Sequence, residues 1–181
     1  SLSALTTASN NTAVGNGALN AATSANNTAV GKNALAVNTT GTPNTAVGQN
    51  SLSSNTTGGS NVAFGQGALE DNTTGSNNTA IGRDSLKEIT TSQAATAVGK
   101  GAAQNNTANY TTAFGYRALE QNTSGTGNTA VGMEAGVTQT TAANSPFVGF
   151  QAGSATTTGS ANTALGRSAL NSNATGANNV A

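Results

Sequence analysis

Cysteine and histidine are absent from this chain, and both charge and aromatic rings are scarce. Without cysteine there is no disulfide framework and no thiol chemistry. Without histidine as well, nucleophilic triads, cysteine-protease chemistry and His-based zinc centres are excluded. Six basic and six acidic residues cancel, which removes the electrostatic case for nucleic acid or an anionic membrane as partner. Asp71 and Asp84 are the only aspartates, too few for calcium-binding β-roll repeats, which need recurring Asp. Gly99-Lys100-Gly101 lacks the spacing of a phosphate loop. Glu70-Asp71 is the one adjacent carboxylate pair, and a solvated turn offers no cleft to shift its acidity for acid–base work. No apolar run reaches membrane-spanning length. The sequence therefore points to no catalytic residue, cofactor or metal, and to no enzyme.

What is present is a repeat. Asn44-Thr45-Ala46-Val47-Gly48 returns with small changes along the whole chain, its glycine falling at Gly15, Gly31, Gly48, Gly65, Gly82, Gly99, Gly115, Gly132, Gly149 and Gly166. Seven of the nine steps are 17 residues and two are 16. A period that steady marks a repeat architecture and outranks local helix or strand propensities. Asn, Thr, Ser, Ala and Gly dominate, a composition typical of disorder. Strict apolar columns argue the other way, because a disordered chain has no need of register.

With the glycine as column 0, columns −4 to 0 read Asn-Thr-Ala-Val-Gly, a short strand by β-branching and alternation. Column −1 is always a sizeable apolar residue: Val14, Val30, Val47, Phe64, Ile81, Val98, Phe114, Val131, Val148 and Leu165. Column −2 is Ala except at Phe147. Columns +3 and +4 read Ala/Ser-Leu, and columns +7 to +10 tend to Asn-Thr-Thr-Gly, which are turn residues. The two short coils imply a deletion in that turn. All twelve charges fall in columns +1, +2, +5 and +6, so these columns face water while −2, −1, +3 and +4 do not.

The reading is an all-β parallel β-solenoid of about ten to eleven coils, one repeat array over residues 1–181. Stacked column-mates predict ion pairs Glu70–Lys87 and Arg117–Glu134 and an Asn ladder along column −4. Columns −2 and −1 leave opposite faces of a strand. One fills the coil and the other forms an uncharged stripe outside it, a candidate association surface. Between Gly132 and Gly153 the pattern breaks: Leu at column +4 becomes Gly136 and Gly153, Thr at column −3 becomes Pro146, and Ala at column −2 becomes Phe147. Volume compensation, with Phe147 filling the space of missing leucines, explains the coincidence. Sequons such as Asn38-Thr39-Thr40, Asn55-Thr56-Thr57 and Asn122-Thr123-Ser124 follow from an Asn- and Thr-rich composition. The Thr row at column −3 shares a face with column −1 and is expected to be buried with it, which ranks ice binding by exposed threonines as a minor alternative.

The motif N-T-A-V-G-x-x-A-L, as in Asn162-Thr163-Ala164-Leu165-Gly166-Arg167-Ser168-Ala169-Leu170, resembles the head repeats of YadA-like trimeric autotransporter adhesins. It is similar also to repeats of phage tail fibres and other secreted bacterial fibres. The resemblance implies a left-handed parallel β-roll, three chains around a common axis lined by column −2 or −1, and an extracellular or virion-surface location. The coils here are longer than those of adhesin heads and carry Leu at column +4. Ser1-Leu2 and Asn179-Val180-Ala181 fall mid-repeat, so a segment of a longer fibre, or a subunit that stacks end to end, is expected. The expected function is a structural or adhesive segment of a bacterial surface fibre that associates with copies of itself. A phage receptor-binding shaft is the alternative.

Overall fold

The computed structural model describes residues 9–181 and contains ten short strands, each on the Asn-Thr-Ala-Val motif. They are β1 (Thr12–Val14), β2 (Asn27–Val30), β3 (Asn44–Val47), β4 (Asn61–Phe64), β5 (Thr79–Ile81), β6 (Thr96–Val98), β7 (Thr112–Phe114), β8 (Thr129–Val131), β9 (Pro146–Val148) and β10 (Ala164–Leu165). They pair in sequence order as one ten-stranded parallel sheet. Column matches column without a slip, as in Asn44↔Asn61, Ala46↔Ala63 and Val47↔Phe64. Ten strands bound nine complete turns, and a parallel bridge from Thr163 to Val180 begins one more. At about 4.8 Å per turn the stack is roughly 43 Å long. The fold is a parallel β-solenoid.

Register survives both short coils because the missing residue lies between columns +8 and −5. Thr23 and Thr107 in column +8 still donate their amides to Thr39 and Thr123 one coil on. Asn26 and Tyr110 in column −5 still adopt the left-handed conformation of their column-mates, with φ of 62° and 58°. The turn absorbs the deletion and the strand does not feel it.

The column glycine is fixed twice over. At Gly82 φ is 127°, and a Cβ there would lie 2.6 Å from the Gly99 carbonyl oxygen of the next coil. Left-handed backbone is not confined to glycine, however. Column +4 is left-handed at every coil, and Leu19, Leu35, Leu52, Leu69, Leu86 and Leu119 occupy it at φ between 47° and 53°. For an L-residue this costs roughly 1–2 kcal/mol. Complete burial of each of these leucines returns roughly 1.5–3 kcal/mol. The strain persists because the side chain has no other way into the core.

That core is narrow. Column −2 alanines and column +4 leucines form one buried cluster. Column −1, expected to avoid water, instead points outward. In a 17-residue coil the leucine from the opposite wall occupies the interior, leaving room only for a methyl group from the strand. Phe147 supports this geometry as the exception. It is fully buried, and a Cβ on Gly153 would sit 2.7 Å from its Cε1, one on Gly136 2.9 Å from its Cδ2. The ring fills what two leucines would have filled. Pro146 costs one ladder bond: Thr129 and Thr163 donate their amides to column −4 of the next coil, and proline cannot.

The remaining interior is polar. Along column −4, each Asn accepts from the backbone amide of the next, as in Asn44 N to Asn27 Oδ1 at 2.9 Å and Asn61 N to Asn44 Oδ1 at 3.0 Å. Its carboxamide then donates across the coil, Asn44 Nδ2 to Gly58 O at 2.8 Å. Column +7, read from sequence as turn, is a second buried ladder. Asn55 Nδ2 donates to Asn38 Oδ1 at 2.9 Å, and Asn72 Nδ2 to Asn55 Oδ1 at 2.8 Å. The sequon asparagines Asn38, Asn55 and Asn122 are all in this ladder and fully buried. Outside it, column +8 threonines donate hydroxyl and amide to the same carbonyl one coil on, as Thr56 does to Thr73 O.

Candidate functional site on the outer sheet face

Strand alternation sets the content of the outer face. With Ala inward, columns −3 and −1 both emerge on the far side of the sheet. Val14, Phe64, Ile81, Phe114, Val131, Val148 and Leu165 are exposed, while Val30, Val47 and Val98 are half-buried between neighbours. The threonine row, expected to be buried, lies beside them; Thr28, Thr45, Thr79, Thr96, Thr112, Thr129 and Thr163 are half-buried and none is enclosed. The result is a sheet face of threonine and aliphatic rows, uncharged over nine coils.

From the seventh strand onward the stripe widens. Column +1 is polar or charged from Asn16 to Lys100 and again at Arg167, but carries Tyr116, Met133 and Phe150 between them, each exposed. Phe150 lies under the Arg167 guanidinium, 5.5 Å from its centroid. Exposed apolar patches of this continuity are uncommon on chains that stay alone in water.

Charges stand off this face, at the coil corners, and none of the twelve is buried. Both predicted inter-coil ion pairs are present: Lys87 Nζ lies 3.4 Å from Glu70 Oε2, and Arg117 Nη1 3.5 Å from Glu134 Oε1. Two further contacts join neighbours on the same coil, Arg117 to Glu120 at 2.6 Å and Arg83 to Asp84 at 2.8 Å. The Glu70 carboxylate holds the Lys87 ammonium above its ordinary pKa, against the opposing effect of burial. The hydrogen bond from Arg117 to Glu120 likewise raises the guanidinium. Pairs this exposed mark register more than they stabilise.

The structure places the two predicted site sets differently. The column glycines all adopt positive φ and form the coil corner, while the apolar row lies wholly on the outer face. Sequence reading missed the buried column +7, although a signal was available. That column is never charged and accepts Ala22 and Ile89, which a solvated turn would not favour. Among the described residues, no group of three His, Cys, Asp or Glu side chains converges to hold a metal ion, and no helix is long and apolar enough to cross a membrane. No family model, curated protein or solved structure matches this chain.

Proposed function

We propose that this chain is a structural segment of an extracellular bacterial surface fibre, and that its outer stripe is the seam along which copies associate. The observation that carries the reading is the row Val14 to Leu165, apolar at all ten positions and turned away from the core. Nothing inside a single chain requires Val, Ile or Phe there, and charge is excluded from the row although it is tolerated at four other columns. The resemblance to trimeric adhesin heads favours three chains around that stripe, and a phage-fibre shaft would use the same seam. The test is the mass of the native assembly by light scattering, with negative-stain images. A trimer or a filament is expected, and a triple variant Val47→Glu, Val98→Glu, Val131→Glu should fall to monomer with unchanged circular dichroism. A folded, monomeric wild type would overturn the seam.

One observation favours a second reading. The threonine row faces outward beside the aliphatic row, as an ice-binding face requires. Val62 and Pro146 interrupt the row, and Phe64 and Phe114 stand proud of it, so the fibre reading ranks first. Thermal hysteresis of the monomeric triple variant's parent chain, measured against buffer, separates the two.

A further inference from the structure

The charged corner holds a groove that borders the outer stripe at Tyr116 and is otherwise walled by polar and charged residues. Column +2 is left-handed at every coil, and its side chain normally covers the corner. Where it is glycine, neighbours usually fill the gap. At Gly67 a Cβ would already meet Asp84 Oδ1 at 2.8 Å and Glu70 Oε2 at 3.2 Å. At Gly101 nothing comes nearer than Gln104 Oε1 at 3.5 Å. The gap is open, and it leads into a cavity of about 270 Å³, just below the ordinary range for small-ligand sites, roughly 300–1,000 Å³.

Its walls carry unengaged polar groups of both kinds. Lys100 has no carboxylate within ion-pair distance among the described residues and contacts only the Tyr116 ring, 5.8 Å from the centroid. Arg83 gives Nε to Asp84 and keeps its terminal nitrogens free. The Gln104 carboxamide and the Tyr116 hydroxyl make no hydrogen bond among the described residues. Glu120 binds Arg117 through Oε2 at 2.8 Å, leaving Oε1 to face the gap, 3.8 Å from where a residue-101 Cβ would be. A ligand matching this set needs one negative group for Lys100 and Arg83, and several hydroxyls for the carboxamide, phenol and carboxylate. It must also be about one ring in size. We infer that the Gly101 groove binds a sugar acid, a single hexose-sized ring carrying a carboxylate.

The repeat itself supplies variants that keep the fold. Gln151 occupies column +2 with φ of 53°, so Gly101→Gln fills the groove in a conformation the column already accepts. Gln49 and Gln66 occupy column +1, so Lys100→Gln removes the ammonium with equal safety. The experiment is saturation-transfer NMR on the native protein with glucuronate, glucose and acetate as probes, circular dichroism serving as the fold control. Transfer to glucuronate alone is expected, weakened about tenfold or more by Lys100→Gln, the scale of a charge-assisted hydrogen bond, and lost in Gly101→Gln. Acetate binding as well as glucuronate, glucose binding as well as glucuronate, or transfer surviving in Gly101→Gln would each overturn the assignment. A glucuronate-terminated disaccharide distinguishes sources: equal or tighter binding assigns the end of a glycan, and exclusion assigns the free sugar acid. Failure here concerns the groove alone and leaves the fibre reading, which the mass of the native assembly tests, standing.

Discussion

At Asn72 the inner ladder stops, and the reason is one residue. Asn55 donates backward to Asn38, Asn72 to Asn55 and Asn122 to Asn106, but the coil ahead of Asn72 presents Ile89. Asn72 Oδ1 is consequently buried without a partner. The ladder falters again where the column changes to Gln139 and Thr156: Gln139 turns its amide to Ala142 O, and Asn122 Oδ1, Gln139 Oε1 and Thr156 Oγ1 are left unpaired. A buried acceptor without a donor costs roughly 1–3 kcal/mol. Ile89→Asn would therefore do what few apolar-to-polar core changes do. Its amide would reach Asn72 Oδ1, and its oxygen would face Asn106, whose Nδ2 donates to Ala108 O and has a second hydrogen to give. We expect Ile89→Asn to lie within about 1 kcal/mol of wild type in urea denaturation, the lost burial offset by the completed ladder. Leu86→Asn, on the same coil but facing alanines, should cost about 3–5 kcal/mol, as core truncations do. Equal costs for the two would refute the ladder account.

At the scale of one coil, opposite walls share a fixed interior volume. The clearest case is residue 147, where strand β9 brings a phenyl ring in place of a methyl and the facing column +4 positions are Gly136 and Gly153. Phe147→Ala should destabilise by about 3–5 kcal/mol. Gly153→Leu alone should also destabilise, because its Cβ would fall within 2.8 Å of three ring atoms. Together they should recover about half the loss, since a left-handed leucine facing an alanine is the arrangement of the other coils. That reversal of sign, read from a double-mutant cycle, tests the packing directly. Additive losses would mean that the two positions do not share space.

For the molecule as a whole, stability is a sum of similar coils and their contacts, and no histidine or cysteine titrates within it. Side-chain protonation changes near neutrality are therefore absent. The Lys87 ammonium is held above its ordinary pKa by Glu70. Its contribution is thus complete below the unfolded lysine value and is lost only as pH rises through the higher folded value. The urea midpoint should be flat from about pH 6 to 9 and decline only in the alkaline lysine range. A transition near pH 7 would overturn this account, since it requires a side chain whose pKa is moved to neutrality by burial or by a neighbouring chain.

The period, the strand motif and the charged, solvent-facing columns were determined by sequence, because the pattern recurs along the whole chain and charge cannot be buried in so small a coil. The column −4 ladder and both inter-coil ion pairs were legible for the same reason: parallel in-register stacking makes column-mates neighbours. Which apolar row lies inside was not. Hydrophobicity alone favours Val over Ala for the core, yet the alanines are buried and the valines face outward. The decision is steric and belongs to the closed coil: leucines from one wall and two asparagine ladders occupy the interior, leaving the strand room for a methyl. The paired change of Phe147 with Gly153 holds that fact in the sequence. The burial of column +7 and the left-handed leucines were likewise settled only by closure, which places asparagines and leucines of ordinary turn segments where water cannot reach them.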